Sequence, residues 1–282
     1  MKRFGSLILA TSVVATCAVG LLGGVSVASA ASSLPTLNIA LNGTTGVSVS
    51  GSEVSGAVNV VSTFTGKAPS GPNANGPTWG LVRLDPGVTV AQAVAAVQSA
   101  HGDINALTPY GSLFADASAP GATQTVLTPG NYAALNITGN GNPAIATFTV
   151  TQSASPAALP AAAATETSIE FGFRGPTVLR DGTIVRAQNG GYLVHMDIAV
   201  GVKNAATGRE VMALLRAGKD GQAQKLANRQ FIALAGPISP GGMQQAVLNA
   251  KPGYYVQLCM MNTQDGREHT QLGMERLIRV VK

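Results

Sequence analysis

The side chains with the richest chemistry lie in the C-terminal part of this sequence. Cys259 is one of only two cysteines, and two of the three histidines and every methionine except Met1 lie in the same part. The order is His195, Cys259, His269, Met274, with nine residues between Cys259 and His269 and four between His269 and Met274. A cysteine without a partner in its own chain indicates a bond to another chain, a buried inert thiol or a metal.

The N-terminal segment decides how many cysteines the mature protein keeps. Residues 1–30 have a basic start, an apolar stretch and a small-residue site, Ala28-Ser29-Ala30, which is the pattern of a secretory signal peptide. Its removal leaves Cys259 alone and predicts a secreted or extracytoplasmic protein. Lipid attachment at Cys17 is disfavoured, because the residue before a lipidated cysteine is usually Gly, Ala or Ser, and Thr16 is larger. No later apolar run is long enough to predict a membrane span.

The rest of the chain consists of two similar parts. Residues 152–165 are uncharged and rich in Ala and Pro, which is typical of a linker. Residues 31–151 and 166–282 share one order: a turn, a strand, a Pro-Gly-x-Tyr motif, a strand, a loop and a last strand. The motif occurs at Pro129–Tyr132 and at Pro252–Tyr255. This repetition predicts two all-β domains, each the size of a β-sandwich.

Each part also contains one short helical insert that covers an edge or an end of its sheets. The first is predicted between Thr89 and Gly102, and the second between Thr207 and Gly218, with a further turn around residues 222–229. The apolar positions at helical spacing are Val90, Val94 and Val97 in the first insert and Val211, Leu214 and Leu215 in the second.

The order of sulfur and imidazole side chains, with the two Pro-Gly-x-Tyr motifs, resembles the cupredoxins, the blue-copper β-sandwich family. The resemblance implies two tandem Greek-key β-sandwich domains and a copper ion in the second. In that family one histidine comes from a strand near the middle of the domain, and a cysteine, a histidine and a methionine come from the loop before the last strand. On this resemblance the copper ligands are His195, Cys259, His269 and Met274. A thiolate, two imidazoles and a weak thioether suit copper.

The first domain lacks this set, since Asn136 stands where Cys259 would and the loop after it has neither His nor Met. It is therefore predicted to be free of metal. In the second domain, strand alternation groups Cys259 with Tyr255 and Gln257, and Val256 with Leu258 on the more apolar face. The alternation alone leaves open which of the two faces is the core.

Two functions remain open on the sequence. One is an exported protein that binds one copper ion for electron transfer or copper carriage, and the other is a cell-surface interaction module without metal. The second domain carries a net charge of +5 and the first −2, which predicts a redox or copper-exchange partner docking on the second. Its basic cluster is Arg209, Arg216, Lys219, Lys225 and Arg229. Aromatic side chains are not interleaved with it, so nucleic acid is not expected.

The sequence also predicts that the protein is not an enzyme. It contains no Gly-x-Ser-x-Gly elbow, no His-Glu-x-x-His and no phosphate-binding loop. A second copper centre of the nitrite reductase kind needs further histidines, and only His101 remains beyond the two candidate ligands.

Overall fold

The computed structural model describes residues 34–69, 76–100, 102–139 and 142–282, and most of its regular structure is β-strand. The predicted signal peptide, residues 1–30, and Cys17 within it lie outside the described residues. In residues 34–151 the strands are β1 Thr36–Asn42, β2 Gly46–Gly51, β3 Gly56–Thr65, β4 Thr78–Leu84, β5 Gly111–Ser118, β6 Gly121–Leu127, β7 Gly130–Asn136 and β8 Ala144–Val150. The later strands are β9 Ala164–Ile169, β10 Gly172–Arg174, β11 Val178–Arg180, β12 Ile184–Asn189, β13 His195–Val202, β14 Ala227–Ile238, β15 Met243–Val247, β16 Gly253–Leu258 and β17 Glu275–Val281.

These strands form three sheets. An eight-stranded sheet, in the order β10-β9-β12-β15-β6-β3-β1-β2, takes four strands from each half of the chain. A four-stranded sheet, β5-β4-β7-β8, belongs to the first half, and a five-stranded sheet, β11-β17-β16-β13-β14, belongs to the second. The chain is mostly β, as the sequence predicts. Its division into two Greek-key domains stays a prediction.

Each half has its own core between the shared sheet and the sheet that faces it. In the first half, Leu37 and Val60 of the shared sheet are buried with Leu81 and Ala134 of the four-stranded sheet. In the second half, Val185 and Ala187 pack against residues of β13, β14, β16 and β17, among them Ala199, Ile232, Tyr255 and Ile278. Apolar residues at every second strand position produce these two buried faces.

The two halves are joined by pairing and by side-chain hydrogen bonds. β15 lies antiparallel beside β6, with Gln245 opposite Gln124, and the Gln245 amide donates to the Gln124 side chain over 3.0 Å. The Thr125 hydroxyl donates to the carbonyl of Met243 over 2.6 Å. The predicted linker lies against this junction, because the carbonyl of Pro160 accepts from Gln245 over 3.1 Å. β9 begins at Ala164, inside the predicted linker range.

Both predicted helical inserts are present. Helix α1, Val90–Ser99, begins at Thr89, whose hydroxyl and Gln92 form a reciprocal capping box. Helix α2, Ala205–Arg216, begins earlier than predicted, because Asn204 is the N-cap and its side chain accepts from the N–H of Thr207 over 2.9 Å. The further helical turn is α3, Asp220–Leu226, and 3-10 helices span Ile104–Leu107 and His269–Leu272. Within the described part of the chain, no helix combines the length and apolar character needed to cross a bilayer.

Helix α2 explains the ambiguous alternation of β16. Val211 and Leu215 of the helix pack against Val256 and Leu258, so the more apolar face of the strand is covered by α2. The other face is buried as well, and Gln257 on it has no exposed surface. Both faces of the strand are interior, which is why its sequence shows no clean polar side.

The tyrosines of both Pro-Gly-x-Tyr motifs form hydrogen bonds back to the residues just before each motif. The Tyr132 hydroxyl donates to the carbonyl of Thr128 over 3.0 Å, and the Tyr255 hydroxyl donates to that of Lys251 over 2.7 Å. Each bond ties the start of a strand, β7 or β16, to the turn before it. β16 is thus fixed at the end opposite to Cys259.

Candidate metal centre

Three of the four predicted ligands converge in the second half. The Nδ1 atoms of His195 and His269 are 3.2 Å apart, and the Sγ of Cys259 lies 3.3 Å from Nδ1 of His269 and 3.9 Å from Nδ1 of His195. All three side chains are fully buried. Nitrogen and sulfur atoms that converge in this way can bind one metal ion. No second group of this kind is found among the residues that the structure describes.

His195 is the first residue of β13, and a tight turn before it sets its position. The Asn189 amide donates to the carbonyls of Leu193 and Ile238, over 2.7 and 2.8 Å, and thereby shapes the turn from inside. Gly191 lies within this turn against the imidazole. A Cβ atom at Gly191 would press on the Glu170 carboxylate and stand 2.8 Å from Nε2 of His195, so any other residue here would force one of these groups to move.

Cys259 follows the last residue of β16 directly. Its N–H donates to the carbonyl of Met274 over 3.2 Å, which continues the pairing of β16 with the segment leading into β17. The N–H of Met196, the residue after His195, points to the Cys259 Sγ over 3.4 Å. A backbone donor at this distance favours the thiolate over the thiol.

The long loop between Cys259 and His269 is arranged as a separate small hairpin. Asn262 and Glu268 pair at its base, and the N–H of Thr263 donates to the carbonyl of Arg267 over 2.9 Å. The hairpin contains most of the residues between Cys259 and His269 and still leaves these two ligands close together. The N–H of His269 donates to the carbonyl of Met261 over 2.8 Å, which closes the hairpin next to the site. The polar residues of this loop therefore lie outside the cluster.

Backbone hydrogen bonds to Cys259 and His269 place Met274 beside the cluster. Its N–H donates to the carbonyl of His269 over 2.9 Å, its carbonyl accepts from Cys259, and its side chain has no exposed surface. Gly273, just before it, takes a left-handed φ of 97° that ends the 3-10 helix. The short helix thus leads the chain from His269 back to Met274, which pairs with Cys259.

Burial sets the protonation of all three side chains. Desolvation and, to a smaller extent, the neighbouring His269 lower the pKa of His195 to about 4, against an opposing effect of Glu170. Desolvation also lowers the pKa of His269 to about 4, against an opposing effect of Glu170 and Asp103. Burial raises the pKa of the Cys259 thiol to about 12. At neutral pH the metal-free site holds two neutral imidazoles and a thiol, and a bound cation is needed to stabilise the thiolate.

The β9–β10 turn covers the cluster from one side. The Glu170 carboxylate lies 3.8 Å from Nε2 of His195 and accepts the N–H of Tyr192, and the Phe171 ring meets the His269 ring edge-to-face with centroids 5.3 Å apart. Phe171 has a φ of 56°, which is rare for a residue other than glycine. The Glu170 side chain is partly exposed in this turn, whereas Glu166 of the preceding strand β9 is fully buried.

A buried polar network lies on the Gln257 face of β16. The Gln257 amide donates to Asp197 over 2.7 Å, Arg276 donates to Gln257 over 2.6 Å, and Arg276 forms an ion pair with Glu166. Burial raises the pKa values of Glu166 and Asp197 to about 7, while Arg276 opposes the shift at both. These partners give the polar Gln257 a place inside the core, which the sequence alone could not assign.

The first half has no such cluster in its described residues. Asn136, at the position that matches Cys259, donates to the carbonyls of Gly43 and Gly46 over 3.0 and 2.8 Å. It therefore acts as a backbone clamp.

No family model matches the sequence, and no curated protein matches it. Among solved structures, the chain is similar to auracyanin from Roseiflexus castenholzii, with 16% identity over 42% of this chain and 95% of that one, at a TM-score of 0.26. A Cu-containing nitrite reductase from Thermus scotoductus matches with 11% identity over 88% of this chain and 68% of that one, at 0.25. A blue copper oxidase from Nitrosomonas europaea matches with 10% identity over 87% and 85%, at 0.23.

These findings bear on two predictions. The buried His195–Cys259–His269 cluster is consistent with copper binding, so the predicted cofactor is borne out. The prediction that the chain is not an enzyme is wrong, because a nitrite reductase and copper oxidases are among the matched structures. That prediction rested on missing hydrolase and phosphate-loop motifs and on the few histidines beyond the candidate ligands, and missing sequence motifs do not exclude an activity.

Proposed function

We propose that this is an exported copper protein that holds one ion in its C-terminal half and passes single electrons to and from a partner. The ligands are His195, Cys259 and His269, with Met274 as the weak axial thioether. Export is proposed from the pattern of residues 1–30. Copper carriage is a variant of the same site, in which the ion itself is transferred.

The observation that carries the proposal is the convergence of two Nδ1 atoms and one Sγ atom in a fully buried position. Two imidazoles, a thiolate and a thioether form a donor set that suits copper better than Mg²⁺ or Ca²⁺. When bound, copper supplies a one-electron redox couple. A site for Cu(I) built from further methionines is a variant of this proposal. Met196 and Met260 are instead packed with the apolar residues under α2, which favours the four-ligand site.

The protein keeps the site preorganised and buried. The imidazoles are neutral above pH 4, so they need lose no proton to bind a cation. The N–H of Met196 supports the thiolate. Because each ligand backbone is tied to a strand or a short helix, little of the protein has to move when the charge of the site changes.

The partner is proposed to dock on the basic face of the second half. The exposed basic residues are Arg209 on α2, Lys219 between the two helices, Lys225 on α3 and Arg229 near the start of β14. Arg216 is exposed as well, although it pairs with Glu275. An acidic protein surface is the complementary partner, and its association should weaken as salt concentration rises.

The experiment is a pair of measurements on purified protein, with and without Cu(II). Copper should raise the melting temperature and protect Cys259 from a thiol reagent in denaturant-free buffer, because only the folded state offers the assembled site. His269→Ala should remove most of the temperature rise. If copper changed neither the reaction of Cys259 with the thiol reagent nor the melting temperature, the metal-free interaction module would be favoured instead.

A further inference from the structure

One contact crosses from the first half of the chain to both loops that carry the candidate ligands. It is made by Asn105, in the 3-10 helix Ile104–Leu107. The Asn105 Oδ1 accepts the N–H of Val194 over 2.8 Å, and its Nδ2 donates to the carbonyl of Asn262 over 3.3 Å. Val194 directly precedes His195, and Asn262 forms the base of the hairpin that separates Cys259 from His269.

The amide of Asn105 is itself held in one orientation. The Asp103 Oδ1 accepts from both the N–H and the Nδ2 of Asn105, each over 2.9 Å. Both Nδ2 hydrogens and the Oδ1 of Asn105 are therefore engaged. A side chain with its rotamer fixed in this way can fix what it contacts.

The 3-10 helix is packed on the strand that forms the junction between the halves, because its Leu107 shares a buried cluster with Leu113 of β5. The N–H of Leu113 donates to the Ser239 hydroxyl over 2.9 Å, and the N–H of Ser239 donates to the carbonyl of Leu113 over 2.8 Å. With the Thr125–Met243 bond, these contacts hold residues 34–151 against the second half. Asn105 therefore meets the two loops from a fixed support.

We infer that Asn105 is a positioning residue for the metal centre, so that the first half of the chain completes a site whose ligands all lie in the second half. This inference rests on the proposed function for its biological meaning. The contact itself can be tested in the metal-free protein.

The test compares full-length Asn105→Ala with Thr125→Val, a matched control that also removes one hydrogen bond between the halves but lies away from both ligand loops. In the metal-free protein, Asn105→Ala should speed amide hydrogen exchange at Val194 and the reaction of Cys259 with an aromatic disulfide by about tenfold or more. Thr125→Val should leave both rates within about twofold of wild type. Asp103→Ala, which frees the Asn105 amide, should move both rates in the same direction by less.

Equal changes in Asn105→Ala and Thr125→Val would overturn the inference, since they would report general loosening of the junction. No change in either rate in Asn105→Ala would overturn it too. With Cu(II) added, Asn105→Ala should shift the thiolate-to-copper absorption relative to wild type. A wild-type protein without that absorption would contradict the proposed function, while the two rates in the metal-free protein would still decide the role of Asn105.

Discussion

Cys259, His195 and His269 are polar or reactive side chains with no exposed surface, and each lacks a full set of protein partners. The Nε2 atoms of both histidines have no hydrogen bond within the described structure. Burial of such groups without compensation costs free energy. A metal bound to the two Nδ1 atoms and the Sγ would stabilise the folded protein through those three atoms, while the two Nε2 atoms would keep their burial cost.

Gly191 offers a test of the site at the level of one side chain. In Gly191→Ala the new Cβ would stand 2.8 Å from Nε2 of His195 and would also press on Glu170. The imidazole must then shift, and we expect copper affinity to fall by about tenfold or more, because ligand positions tolerate only small errors. Affinity is measured by competition with a chelator of known strength.

Gly221→Ala is the matched control, since a Cβ at this position in α3 meets no atom within 4 Å. It should leave the copper affinity unchanged. An equal affinity in Gly191→Ala and wild type would show that the turn before His195 does not hold the ring in place.

At the scale of elements, β16 and the loop after it show what the sequence could and could not predict. Local signals such as the caps were sufficient to place the helical inserts to within a few residues, and the two Pro-Gly-x-Tyr motifs marked the starts of β7 and β16. The inward direction of Cys259 was not predictable from alternation, because α2 buries the opposite face and the Arg276–Gln257 network satisfies a polar residue in the core. Both causes are tertiary.

The residues that contact the ligands or their loops from other parts of the chain were harder still to predict. Glu170 and Phe171 reach the histidines from a turn far away in sequence, and Asn105 comes from the other half of the chain. No local pattern signals contacts of this kind. The order of ligand types in one sequence was informative because metal ligands are few and chemically distinct.

The packing of α2 on β16 predicts a graded loss of stability. Leu215 is 6% exposed and lies against the strand that carries Cys259 at its end. Leu215→Ala should lower the free energy of unfolding by about 2–4 kcal/mol, as for other buried leucines. The measurement is urea denaturation of the metal-free protein. Leu214→Ala, on the same helix but only half-buried, should cost clearly less, and an equal cost would contradict the packing described here.

At the scale of the whole molecule, the junction between the halves contains a buried acid. Asp116 of β5 is 5% exposed, its N–H donates to the Gln244 side chain over 3.2 Å, and its carboxyl lies against Gly236 of β14. Burial raises the pKa of Asp116 to about 8. The group is therefore neutral in the folded protein at pH 7 but ionised in the unfolded chain.

This shift makes the junction sensitive to pH. A raised pKa contributes no destabilisation below the unfolded value near 4, and it costs stability progressively as pH rises from there towards 8. In Asp116→Asn that cost disappears, so the stability of the variant relative to wild type should improve by up to about 1.4 kcal/mol per pH unit over this range. Urea denaturation at pH 5 and pH 7.5 measures it, and a difference that does not depend on pH would contradict the buried acid.

The visible spectrum after addition of Cu(II) to the purified protein tests whether one copper ion binds Cys259, His195 and His269. We expect an intense thiolate-to-copper absorption that saturates at one equivalent of Cu(II) and is lost in Cys259→Ser, although this variant keeps its fold. Absence of the band in the wild-type protein, or a spectrum that Cys259→Ser leaves unchanged, would contradict it.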